Sequence, residues 1–157
     1  EASRPCRSRG WCFFEMNIAS VLTYPHAMID VSLIDLDSLA GHSRWGVAGR
    51  QKRTPPLLPA RFEEELSKLT FTNGKADHDL VCRLYRDCFE EMLGSVEVLS
   101  YGDAGWGDTH MPALAEVLPF CTGMLRLELN DNRLISDVGL LTLLPALPPN
   151  LQELDMR

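Results

Sequence analysis

Most of the residues that could do chemistry in this chain are too dispersed to act together. The histidines (His26, His42, His78 and His110) show no H-x-x-H or H-E-x-x-H spacing, the pattern that puts two metal ligands on one helix face. So few histidines also support no Ser/His/Asp order. The five cysteines include no C-x-x-C. Cys6 and Cys12, like Cys82 and Cys88, are six apart, which suits neither a zinc knuckle nor a redox pair. They read as reduced thiols that fill a core. The glycine-rich stretch from Tyr101 to Gly107, YGDAGWG, is neither G-x-G-x-x-G nor a phosphate loop. Its glycines suit a turn, and Asp103 and Asp108 would bond turn backbone there. One carboxylate stands apart, Glu15, in SRGWCFFEM beside Trp11 and Cys12. Taken alone, it is a solvated helix carboxylate next to an aromatic stripe. Neither a metal nor a cofactor is expected.

The elements that would position these residues follow from periodicity. Residues 8–22 read as an amphipathic helix opened by Ser8, with Trp11, Phe14, Ile18 and Leu22 on one face. In Met28 to Asp37, alternation at Ile29, Val31 and Leu33 predicts a strand. Residues 41–59 hold glycines, prolines and the basic residues Arg44, Arg50, Lys52 and Arg53, and break every period, as a mobile connection would. A short helix is predicted over Ala60 to Leu69, with Phe62, Leu66 and Leu69 inward. The next, over His78 to Leu93, would be capped by Asp77 and Gly94, with Leu80, Val81, Leu84, Cys88, Phe89 and Met92 as its stripe.

The last third carries a self-similarity. Met124 to Asn132, MLRLELNDN, returns as Leu151 to Met156, with Met124, Leu127 and Leu129 each 27 residues before Leu151, Leu154 and Met156. A looser copy begins at Val96, where Val96, Leu99 and Tyr101 lie 28 residues before the same three positions. Each copy would be a short strand, with Asn132 placed to satisfy loop backbone groups. Helical returns are predicted over Asp108 to Leu118 and Asp137 to Leu147, the second with Leu140, Leu141, Leu144 and Leu147 at helical spacing.

Bulk properties narrow the partners. A net charge of −7 and a pI near 5.0 argue against nucleic acid or an anionic membrane held through bulk charge. No apolar run reaches the roughly 20 residues that cross a bilayer. No signal peptide is visible, and with the cysteines read as reduced the expected compartment is the cytoplasm. Because Arg157 closes the sequence just after a strand, a fragment of a longer protein is expected.

Two resemblances attach to these residues. Ser8-x-x-Trp11-Cys12-x-x-Glu15-Met16 resembles the TIR-domain helix that carries S-x-W-C-x-x-E-L. That resemblance implies NAD binding and cleavage with Glu15 as the catalytic carboxylate, which would steady an oxocarbenium-like ribosyl centre. The chain departs from the family in having at most seven residues before this helix, too few for the first strand and its loops. The second resemblance rests on RGWCFFE, FTNGKADHDLVCRLYRDCFEEM and the L-x-L-N-D-N-R-L copies, which look like leucine-rich-repeat proteins of unicellular algae. The period and helical returns are similar to ribonuclease-inhibitor-type repeats, which implies a curved solenoid that binds proteins on its strand face.

The expectation is therefore an α/β chain: a short leucine-rich-repeat solenoid of about 2.5 repeats, preceded by a partial α/β and helical segment. Residues 1–40 would be a partial, TIR-like α/β piece, 41–59 a linker, 60–93 a helical cover over the first repeat, and 94–157 the repeats. The expected function is non-enzymatic protein binding through the outward strand residues Arg126, Glu128, Asn130, Glu153 and Asp155. The alternative is a fragment of a TIR-like NAD-cleaving or signalling protein. The sequence names neither the protein partner nor an oligomeric state.

Overall fold

The computed structural model describes residues 8–22 and 53–157. The strand expected over Met28 to Asp37 and the basic residues Arg44, Arg50 and Lys52 lie outside them. In chain order the elements are α1 (Gly10–Leu22), α2 (Pro59–Leu66), α3 (Lys75–Ser95), β1 (Val98–Ser100), α4 (Met111–Val117), β2 (Arg126–Glu128), α5 (Asp137–Leu143) and β3 (Glu153–Asp155). Single 3-10 turns at Asp108–His110, Leu118–Phe120 and Leu144–Ala146 flank α4 and α5.

The three strands form one parallel sheet in the order β1-β2-β3. Leu99, Leu127 and Leu154 stand side by side in it, so the sequence offsets of 28 and 27 are the register of the ladder. Each strand is only three residues long. The expected leucine-rich-repeat solenoid is not what forms. The described residues are 55 % helical and 11 % strand, with a small open sheet, too little strand for a solenoid. The reason is local: β1 and β2 are each cut off after three residues by a turn. Asp103 and Asp131 take positive φ (54° and 60°) there, a conformation aspartate tolerates better than most residues.

Phe62 and Leu66 of α2 are buried as the spacing suggested, but α3 and α5 bury stripes that differ in part from the expected ones. In α3 the buried positions are Val81, Tyr85, Phe89 and Leu93, one per turn. Tyr85 stacks on Phe62 of α2 with ring centroids 3.6 Å apart, and its hydroxyl donates to the Leu57 carbonyl at 2.7 Å. Gly74, with φ at +57°, is the N-cap of α3, not Asp77, and the helix runs past Gly94 to Ser95. Asp77 instead sits in the first turn. Its carboxylate accepts from the Asn73 N–H and the Trp11 indole, both at 3.3 Å, tying α1 to α3. On α5, Gly139 and Leu143 are buried while Leu141, and Leu144 in the 3-10 turn that follows, face solvent although both belong to the expected stripe. Residues 53–58, read as part of a mobile connection, are packed: Arg53 is 3 % exposed, and its carbonyl accepts from the Trp106 indole at 2.8 Å.

Candidate interaction surface

Parallel pairing fixes which side chains share a face. Leu99, Leu127 and Leu154 point to the helix layer, so their neighbours point out in rows: Val98, Arg126 and Glu153, then Ser100, Glu128 and Asp155. Beyond the strands, Asn130 continues the outer face over Gly102, where an added Cβ would run into the Asn130 amide.

Charges on this face are pre-paired. Arg126 bridges two strands, with its Nε 2.9 Å from Glu153 Oε2 and its Nη1 3.8 Å from Glu128 Oε1. Arg157 grips Asp155 in a fork, Nε to Oδ1 and Nη2 to Oδ2 at 3.1 Å each. Those two hydrogen bonds hold the Asp155 carboxyl below the ordinary carboxylate range and raise the Arg157 guanidinium. Asn130 turns its amide to Asp131 at 3.1 Å. Arg126, Glu128, Glu153 and Asp155 thus form one cluster, and Asn130 stands beside it. Pairs this exposed contribute little to stability, so their arrangement matters more for recognition than for folding.

Beneath that face lies a polar clamp that the sequence anticipated in part. Asn132 is buried; its Oδ1 accepts from the Trp106 N–H at 2.9 Å, and its Nδ2 donates to the carbonyls of Tyr101 at 2.8 Å and Leu129 at 2.9 Å. Asp108 does bond turn backbone. It accepts from Ser136 N–H (2.7 Å), Ser136 Oγ (2.6 Å) and Gly139 N–H (3.1 Å), and those bonds hold its carboxyl below the ordinary range.

Sequence reasoning missed Arg53. Its Nη1 donates to the Ser100 carbonyl of β1 at 3.0 Å and its Nη2 to the Ser20 carbonyl of α1 at 2.8 Å. The guanidinium lies 4.6 Å from the centre of the Tyr101 ring, and its Nε is buried without a hydrogen-bond partner. Desolvation lowers the Arg53 pKa from its ordinary value. Only its place at the end of a basic, proline-containing stretch marked it, and that pattern reads as linker.

Glu15 is exposed on α1 and is not among the residues that line the nearby groove of 290 Å³, which are Arg9, Trp11, Cys12, Thr70, Phe71 and Thr72. Cys12 is disulfide-bonded, which corrects the reading of every cysteine as a reduced thiol; Cys82, Cys88 and Cys121 are free. The Cys121 thiol is pushed up to about 12 by burial, and Cys82 is also raised, chiefly by desolvation, so neither is an activated nucleophile. His78 approaches Cys82 and Asp79, and His110 stacks on Trp106; His26 and His42 lie outside the described residues. Among the described residues, no three His, Cys, Asp or Glu converge as a metal would require. None of their helices is long and apolar enough to cross a membrane.

Compared with known proteins, the chain matches no family model, no curated protein and no solved structure.

Proposed function

We propose that this chain is a non-enzymatic protein-binding module whose working surface is the outer face of the three-stranded sheet. The observation that carries the reading is the in-register cluster of Arg126, Glu128, Glu153 and Asp155, with Val98 exposed at its edge. Short strands with fixed neighbours hold these groups in place before a partner arrives, which lowers the entropy lost on binding. Counting the Arg157 that grips Asp155, three carboxylates against two guanidiniums favour a partner that presents basic side chains, with one apolar group to meet Val98. We place the protein in the cytoplasm on the free thiols of Cys82, Cys88 and Cys121, against which the Cys12 disulfide stands.

The test is comparative capture from cell extract, with wild type beside a Val98→Asp, Arg126→Ala and Glu128→Lys chain. A protein retained by wild type and lost from the triple variant, with melting unchanged, supports the reading. Equal capture by both overturns it. An NAD-hydrolysis assay with Glu15→Gln as control addresses the non-enzymatic half. Turnover that disappears in the variant would make Glu15 catalytic.

A further inference from the structure

Of Asn17, Asn73, Asn130, Asn132 and Asn150, only Asn73 is followed by glycine. An asparagine side chain is chemically labile where the next backbone nitrogen can reach its Cγ, and a following residue without a Cβ leaves that approach open. Asn73 and Gly74 are both exposed, in the turn that leads into α3. A Cβ built on Gly74 would meet nothing within 4 Å. Among the described residues the Gly74 N–H donates to no backbone carbonyl.

The other asparagines are held differently. Asn17 and the Ile18 N–H after it lie inside α1. The N–H after Asn130 donates to the Arg157 carbonyl at 2.7 Å, and the one after Asn150 to the Pro148 carbonyl at 3.1 Å. Asn132 is buried, with both ends of its amide bonded. Asn73 also has a neighbour that makes its amide matter. Asp77, in the first turn of α3, accepts at Oδ1 from Asn73 Nδ2 and at Oδ2 from the Asn73 N–H and the Trp11 indole, each at 3.3 Å. Bonds of that length in an exposed turn restrain the Asn73 amide only weakly, while the Trp11 bond is a tie between α1 and α3.

We propose that Asn73 is a site of spontaneous deamidation, and that its product releases the hold of α3 on Trp11. The Gly74 nitrogen gives up its proton and attacks Asn73 Cγ. The new N–Cγ bond closes a cyclic imide, and Nδ2 leaves as ammonia, taking up a proton as it goes. Water then adds its hydroxyl to one of the two imide carbonyls, whose bond to the Gly74 nitrogen breaks, and the nitrogen recovers its proton. One water enters and one ammonia leaves. Opening at Cγ gives aspartate; opening at the main-chain carbonyl gives isoaspartate, in which the chain runs on through the former side chain. Either product trades a neutral amide beside Asp77 for a second carboxylate, so attraction becomes repulsion between like charges. Asp77 is displaced, and its bond to the Trp11 indole goes with it.

Ageing the folded 157-residue chain in neutral and mildly alkaline buffer, followed by mass spectrometry of its tryptic peptides, tests this. The peptide from Leu69 to Lys75 should convert from amide to acid, as aspartate and isoaspartate together. Conversion should be faster at higher pH, because the attacking nitrogen must lose its proton. Peptides that carry the other asparagines should keep their amides. Asn73→Gln should stop the conversion, since the longer side chain closes a larger and slower ring. In Asn73→Asp the Trp11 indole proton should exchange severalfold faster than in wild type. Asn73→Ala, which removes the amide without adding charge, should change that exchange less. A folded chain that keeps Asn73 intact while the isolated Leu69 to Lys75 peptide converts would overturn the site, as would earlier conversion of any other asparagine. Equal Trp11 exchange in Asn73→Asp and wild type would overturn the release.

Discussion

β1 and β3 pair in register with the two sides of the same central strand, yet one is sealed and the other is not. At the β1 end Tyr101 stacks on Trp106 with ring centroids 4.4 Å apart, Arg53 lies over Tyr101, and α3 closes the layer with Phe89 5.3 Å from Phe120. At the β3 end the corresponding positions are smaller or wetter. Leu154 and Met156 are half-buried, and α5 leaves Leu141 and Leu144 in water. In-register parallel pairing therefore does not equalise stability along the sheet; what covers each strand sets it. Stability should fall from β1 to β3.

Trp106→Ala should break the sealed end outright. Trp106 is 1 % exposed, stacks on both Tyr101 and His110, and ties down the Arg53 carbonyl. Its removal should cost about 3–5 kcal/mol, the usual range for a large core aromatic. Chemical denaturation should show the midpoint collapse, whereas a loss under 1 kcal/mol would mean the seal is not what stabilises that end. Asn132→Ala should follow at about 1–3 kcal/mol, because the Trp106 N–H and the carbonyls of Tyr101 and Leu129 lose their buried partner. Amide exchange should accelerate at Trp106 first.

This contrast explains what could be read from the sequence. Leu99, Leu127 and Leu154 were legible as a ladder because a strand position either repeats or it does not. Asn132 was legible because a polar residue in an apolar pattern must have partners. That no solenoid forms was not legible, because the period says nothing about how many residues of each copy stay extended. The α5 stripe was misread for a related reason. Leucines at 140, 141, 144 and 147 span more than one face, and only the contact of Gly139 with the preceding unit decides which face turns inward. Arg53 was hidden by its surroundings: a cation among prolines reads as solvated until a ring and two carbonyls are brought to it from 20 to 101.

Acid should loosen the joint between the two ends before it unfolds either. Asp108, in the turn before α4, accepts two bonds from Ser136 and one from Gly139 at the start of α5. The folded state lowers its pKa, first through the Ser136 hydroxyl. Its contribution is therefore full above the ordinary carboxylate value of 3.8 and is lost as pH falls through the lower folded value. Asp108→Asn should flatten that part of the stability profile. An unchanged profile in the variant would show that the Ser136 contacts do not couple the units.

The smallest effect should be at the open end. Leu144 is large and apolar but 47 % exposed, so Leu144→Ser removes little buried surface from the isolated chain. In dilute solution its stability should stay within about 0.5 kcal/mol of wild type. The same substitution at Leu143, fully buried one residue earlier, should cost about 2–5 kcal/mol because it opens a cavity. The two are neighbours in sequence, Leu143 turned inward at the end of α5 and Leu144 turned outward at the start of the 3-10 turn that follows. Equal costs would mean that the open end is covered in solution even at low concentration, and the contrast between the two ends of the sheet would disappear.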